Sequence, residues 1–174
     1  MITLCYQSRI INVLFLLALT FTMDVQAQSQ SKVAKINPNH DLQQIAVVVY
    51  CDNKISDADK INSAILSSPE GSEIVICGEC LINETVRLIQ NRSYRGQHRS
   101  GTILKQADNA NLVTIAASSG FLDNNPYTDG PVSITKLRFE GNKENNTKAM
   151  TAGLIIRSWL TIVEDLHIQN MSGD

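Results

Sequence analysis

Two short runs near the end of this chain repeat each other. The first is Ile134-Thr135-Lys136-Leu137-Arg138-Phe139-Glu140-Gly141-Asn142, and the second is Val163-Glu164-Asp165-Leu166-His167-Ile168-Gln169-Asn170. Each alternates apolar and polar residues and closes on Asn, the second with one residue fewer before it. Period-two alternation predicts a strand with one buried face. Recurrence of such a strand predicts stacked coils, because one strand cannot bury its face alone.

The rest of the chain fits that expectation. Apolar stretches suited to strands lie at Ile45–Tyr50, Glu73–Cys77, Thr85–Leu88, Ser93–Arg95, Thr102–Lys105, Leu112–Ile115, Val132–Phe139, Leu154–Ile156 and Leu160–Ile168. Gly, Asn, Asp and Ser clusters separate them. The longest turn regions are Ala117–Pro131 and Glu140–Ala152. Two-residue hairpin signals are lacking, so a parallel β-helix is expected rather than a sandwich. Aromatics are few and the aliphatic residues plentiful, which suits an aliphatic interior between stacked strands. Asn142 and Asn170, closing equivalent runs, are expected to take left-handed conformations and to align as a ladder.

One helix is expected. Ser56-Asp57-Ala58-Asp59 has the spacing of a capping box, and Ile61, Ala64 and Ile65 fall on one face behind it. A short, one-faced helix over Asp57–Leu66 suits a lid on the first coil.

Residues 1–27 read as a secretory signal: Arg9, then an apolar run from Ile10 to Phe21, then Val25-Gln26-Ala27 with cleavage after Ala27. A spanning anchor is the less favoured alternative, since the run is short for a bilayer. Residues 28–44 are polar and read as a flexible lead-in, and 45–174 as the β-helix domain. The expected location is outside the cytoplasm, extracellular or periplasmic, with no membrane association after cleavage. The net charge of −2 gives no reason to expect nucleic acid.

Cys51, Cys77 and Cys80 follow the signal, enough for one bridge and one thiol left over in an oxidising compartment. Cys77-Gly78-Glu79-Cys80 has redox or zinc spacing, but it follows a strand rather than opening a helix. His40, His98 and His167 are too scattered to complete a zinc site. Cys51 precedes the expected helix and Cys80 follows the first coil turn. A Cys51–Cys80 bridge is therefore expected, because Cys77 to Cys80 would close only a tiny loop.

The segment from Asp57 to Asp174 resembles the pectate-lyase-like superfamily of right-handed parallel β-helices, and most nearly its secreted members related to family-28 glycoside hydrolases. The stretches that carry the resemblance are Asp57–Ile65, Pro69–Ile76, Asn91–Gly96, Gly101–Gln106, Leu137–Lys143 and Gly153–Ile156. The resemblance implies a right-handed coil and a polysaccharide ligand. Two features depart from it. Val48–Asn53 stands where a glycine-rich opening is usual, and the family's later coils, which usually carry the active residues, would lie beyond Asp174.

No complete catalytic set is legible. The Asn-Thr-Asp, Asp-Asp and Gly-His-Gly motifs of family-28 hydrolases are absent. Glu164-Asp165 is an adjacent carboxylate pair, but neighbours on a strand point to opposite faces. Arg92, Arg95, His98 and Arg99 form the densest basic run and are the candidate contacts for an acidic glycan, although a charged surface turn is the plainer reading. Trp159, the single tryptophan, could stack on a sugar but first suggests packing at a coil corner. Glu140–Asn146 is similar to alginate epimerase coils. No cofactor is evident, and Ca²⁺ is expected only through downstream coils. Asn83, Asn91, Asn145 and Asn170 head N-glycosylation sequons, relevant only in a eukaryotic secretory pathway.

The expectation is thus the amino-terminal part of a secreted β-helix that acts on or binds a polysaccharide, one rich in uronic acid. The alternative is a non-catalytic glycan-binding or tailspike-like scaffold. The chain by itself is expected to be catalytically silent and to self-associate through an uncapped coil.

Overall fold

The computed structural model describes residues 45–125, 130–147 and 151–172. The signal segment with its cleavage site after Ala27, and the lead-in to residue 44, lie outside the described residues. The described chain is mostly parallel β-sheet with few helices. Strand β1 (Ala46–Tyr50) leads into helix α1 (Asp57–Ser67). There follow β2 (Glu73–Cys77), β3 (Glu79–Ile82), β4 (Val86–Leu88), β5 (Arg92–Gly96), β6 (Ile103–Gln106) and β7 (Thr114–Ser118). After the single-turn helix α2 (Ser119–Leu122) come β8 (Val132–Thr135), β9 (Arg138–Glu140), β10 (Ala152–Ile155), β11 (Ile162–Glu164) and β12 (His167–Gln169).

The strands form three sheets. The first has the order β1-β2-β5-β8-β11, the second β3-β6-β9-β12 and the third β4-β7-β10. All nine pairings are parallel. From β2 onward the chain visits first, second and third sheet in turn, and every strand pairs with the one three places on.

The registers explain the core. Ile74, Tyr94 and Ile134 stack across the first sheet, Cys80, Leu104 and Phe139 across the second, and Val86, Ala116 and Leu154 across the third. All but Leu154 are buried, and Leu154 packs against the same cluster. Three apolar ladders therefore face one interior, and each strand presents its alternate residues outward. Tyr94 keeps its phenol inside that interior because Ile89 satisfies it. The hydroxyl donates to Ile89 O at 2.8 Å and accepts from Ile89 N at 2.7 Å.

Helix α1 packs against β1 to β4 with Ala58, Ile61 and Ile65 buried. Its buried apolar residues join the same apolar cluster as the three ladders. Its start differs from the expected capping box: Ser56 makes no side-chain cap bond. Asp57 takes over instead. Its fully buried carboxylate accepts from Lys54 N at 2.8 Å and Leu81 N at 3.2 Å, and pairs with Lys60 Nζ at 3.0 Å. The carboxylate thus ties the helix start to β3, and the buried charge is met by N–H donors and a cation. Close by, Cys51 and Cys80 form a disulfide across a separation of 29 residues. Closing a loop of that size contributes about 3–4 kcal/mol. Cys77 lies outside the bridge and is buried.

Two of the expected strands are each a pair. Val132–Phe139 splits into β8 and β9 around Lys136 at φ 56°, and Leu160–Ile168 splits into β11 and β12 around Asp165 at φ 52°. The polar doublets Thr135-Lys136 and Glu164-Asp165 break the alternation where the chain turns a corner. Gly78, at φ 90°, makes the corresponding corner between β2 and β3. The short strand β3 that follows it is the strand expected to begin at Cys80, and it starts one residue earlier, at Glu79.

The expected asparagine ladder does not form. Asn142 and Asn170 are both left-handed, at φ 49° and 51°. The missing residue sets them out of step, so Gly141 packs on Asn170 O while Asn142 Nδ2 donates to Gln106 O at 3.1 Å and Asp108 Oδ1 at 2.8 Å.

Candidate functional site

The outward residues of the second sheet line an open groove of about 370 Å³. Two outward rows build its floor. Glu79, Ile103, Arg138 and His167 are register partners in one row, and Leu81, Lys105, Glu140 and Gln169 in the next. Of these, Glu79, Ile103, Lys105, Arg138 and Glu140 line the groove, and the chain leaving β9 adds Asn142, Lys143 and Glu144, with Asn170 across from them. Charged groups sit there because outward positions escape the apolar interior, and parallel pairing sets them one strand spacing apart, about 4.8 Å.

The charges are unequally engaged. Burial pushes the Glu140 carboxyl up, but hydrogen bonds from Asn170, Gln169 and the Asn142 N–H, with the Arg138 charge, more than offset this. Its pKa is held below the ordinary glutamate value. Arg138 reaches Glu140 Oε2 only at 3.5 Å, and its Nε–H is buried without an acceptor. Lys105, Lys143, Glu79 and Glu144 form no ion pair among the described residues. The groove therefore offers three cations and two carboxylates without ion-pair partners among the described residues, beside Ile103.

The corner beside the groove is held by buried polar side chains. Gln106 is fully buried, with Nε2 donating to Gly141 O at 2.9 Å and Oε1 accepting from Leu112 N at 3.0 Å. Asn146 Nδ2 donates to Ala107 O at 3.0 Å and Asn142 O at 3.1 Å, and Asn146 Oδ1 accepts from Asn111 N at 2.8 Å. Thr151 Oγ1 donates to Leu112 O at 2.7 Å. These bonds fix the loop that carries Lys143 and Glu144, and they were not anticipated from sequence.

The basic candidates sit elsewhere and are largely committed. Arg92 holds the end of α1, donating from Nε to Ser68 Oγ at 2.7 Å and from Nη2 to Ser68 O at 2.6 Å. Arg95 forms a two-pronged pair with Glu73 on the neighbouring strand, at 2.8 and 3.1 Å. Arg99 pairs with Asp165 at 3.1 Å, and the exposed His98 contacts Ser100. That last ion pair also separates Glu164 from Asp165: Glu164 ends β11, while Asp165 sits in the corner. Trp159 does not pack into a corner as first suggested; it is 61% exposed beside exposed Leu160, after β10.

The sequon asparagines differ in kind. Asn83 is exposed in the β3–β4 turn, and Asn91 is half-buried at φ 58°. Asn145 donates to Asp108 and Asn142, and Asn170 to Glu140. Among the described residues, no group of three His, Cys, Asp or Glu is placed to hold a metal ion, and no helix is long and apolar enough to cross a membrane.

None of the glycan contacts expected from sequence, Arg92, Arg95, Arg99 and Trp159, lines the groove. Lys105 and Glu140 become neighbours only through the register of β6 and β9. Comparison with family models, curated proteins and solved structures finds no match for the chain.

Proposed function

We propose that the described chain forms a secreted, right-handed parallel β-helix of the pectate-lyase-like kind, which binds or acts on a uronic-acid-rich polysaccharide along its second sheet. The cyclic visiting order of the strands supports the coil. The observation that carries the ligand is the groove: Arg138, Lys105 and Lys143 lie together, with the lysines lacking ion-pair partners among the described residues. Outward rows at strand spacing suit an extended chain of repeating sugars, with cations for the carboxylates and Glu79 and Glu144 for the hydroxyls.

Binding without hydrolysis is the second reading, and Glu140 favours it. A glycosidic general acid needs a raised pKa, whereas the bonds to Glu140 stabilise its ionised form. The test joins a reducing-sugar assay to absorbance of unsaturated uronates, with binding titrations of polygalacturonate and alginate. Binding without turnover is the expected outcome. Turnover would assign a hydrolase or a lyase according to which signal rises, and absence of binding to both polymers would reject the glycan reading.

A further inference from the structure

Within that glycan reading, on which this inference rests, the two ends of the groove differ in what they can hold. We propose that the β3 end seats an uncharged sugar unit carrying a methyl group, selected by Ile103 and Glu79, next to a uronate held at the β9 end.

The register sets the difference. Along one outward row the order is Glu79, Ile103, Arg138, and along the next it is Leu81, Lys105, Glu140. Strand β3 is the edge of the second sheet, and Glu79–Ile82 include no cation. The cations of the groove, Lys105, Arg138 and Lys143, all lie on β6, on β9 or just after it. Glu79 forms no ion pair among the described residues, so a uronate placed beside it meets a like charge. The hydroxyls of an uncharged sugar, by contrast, donate to that carboxylate. Ile103 lines the groove between Glu79 and Arg138 and is half-buried, with half-buried Leu81 in the neighbouring row. An aliphatic side chain left partly open gains by covering a methyl group and gains nothing from a carboxylate. Two sources share this chemistry, the methyl ester of a uronate and the methyl of a 6-deoxy sugar. From β9 to β3 the groove crosses two strand spacings, about 10 Å, so one glycan meets both ends. A repulsive group and an attractive one then discriminate together.

The experiment is calorimetric titration of the full chain with three oligomers of equal length: free oligogalacturonate, its partly methyl-esterified form, and an oligomer in which galacturonate alternates with a 6-deoxyhexose. At least one methyl-bearing oligomer should bind about four-fold tighter than the free one, as for one covered methyl group. A gain with only one of the two names the source of the methyl. Ile103→Ser should erase that preference, and Ile103→Thr, which keeps the β-branch, serves if Ile103→Ser loses its circular-dichroism signature. Glu79→Gln should tighten free oligogalacturonate about three-fold at low salt, because it removes the like charge. Equal affinity for the three oligomers, or tightest binding of the free one, would overturn this selection and leave the glycan reading standing. A preference that survives both Ile103 variants would overturn the role of Ile103. Binding of none of the three would reject the glycan reading and this inference with it.

Discussion

The corner between the first and second sheets and the corner between the second and third solve one problem in opposite ways. The first is short in three of its four passages: single left-handed residues, Gly78, Lys136 and Asp165, turn the chain from β2 to β3, β8 to β9 and β11 to β12, while residues 97–102 make a longer passage from β5 to β6. The second is long after β6 and β9, and its loops are held by the buried side chains of Gln106, Asn146 and Thr151. A short corner depends on backbone conformation at one position. A long corner depends on side chains reaching between neighbouring coils, and it is free to place charged residues beside the sheet. The groove lies at the long corner, where Lys143 and Glu144 join the outward residues of β6 and β9.

The sharpest way to break the comparison is to crowd the short side. A Cβ on Gly96 would sit 1.9 Å from Lys136 O. Gly96→Ala should cost about 3 kcal/mol or more, because backbone rather than a flexible side chain must move; urea unfolding measures it, and a cost under about 1 kcal/mol would mean the coils are not closely stacked there. On the long side, Gln106→Leu removes bonds to Gly141 O and Leu112 N and should cost about 2–4 kcal/mol. It should also weaken glycan binding by loosening the Lys143 loop, whereas Gly96→Ala should chiefly lower stability.

Opposite signs are expected within the short corners. Gly78→Ala forces a side chain into φ 90° with its Cβ 2.9 Å from Cys51 O, and should destabilise by about 1–2 kcal/mol. Lys136→Gly, at φ 56°, relieves the same kind of strain and should be neutral or stabilising by up to about 1 kcal/mol, read from thermal midpoints. Destabilisation by Lys136→Gly would show that the lysine side chain contributes more than its backbone strain costs.

The smallest effect is with pH. The Glu140 pKa is lower folded than unfolded, so its contribution is fully present above the ordinary glutamate range and is lost as pH falls through the depressed folded value. Glu140→Gln should therefore lower stability slightly near neutrality and flatten the acid limb of the stability curve. An unchanged acid limb would mean the folded carboxyl titrates as it does unfolded.

The same contrast sets what was readable in the sequence. The repeat of Ile134–Asn142 in Val163–Asn170 exposed parallel stacking, because period-two burial and local turn chemistry are written in adjacent residues. The helix over Asp57 was visible from Ile61, Ala64 and Ile65, yet its start was misassigned: Ser56 has the spacing for a cap, but Asp57 reaches Leu81 in a distant strand. Gln106, Asn146 and Thr151 read as ordinary turn residues, since each has a partner 35 to 45 positions away. Arg92 and Arg95 looked available for the same reason: Ser68 and Glu73 are neighbours only after folding. The groove residues depend on register, which a single chain of letters does not print.

The central claim is the cyclic strand order, because it places Lys105, Arg138 and Lys143 on one face. Interstrand nuclear Overhauser effects between backbone protons test it most directly. The account predicts parallel-strand contacts linking Ser93 to Ser133, Leu104 to Phe139 and Ala116 to Leu154, one pair in each of the three sheets. Antiparallel contacts between consecutive strands, such as β8 with β9 or β5 with β6, would contradict it and dissolve the groove with it.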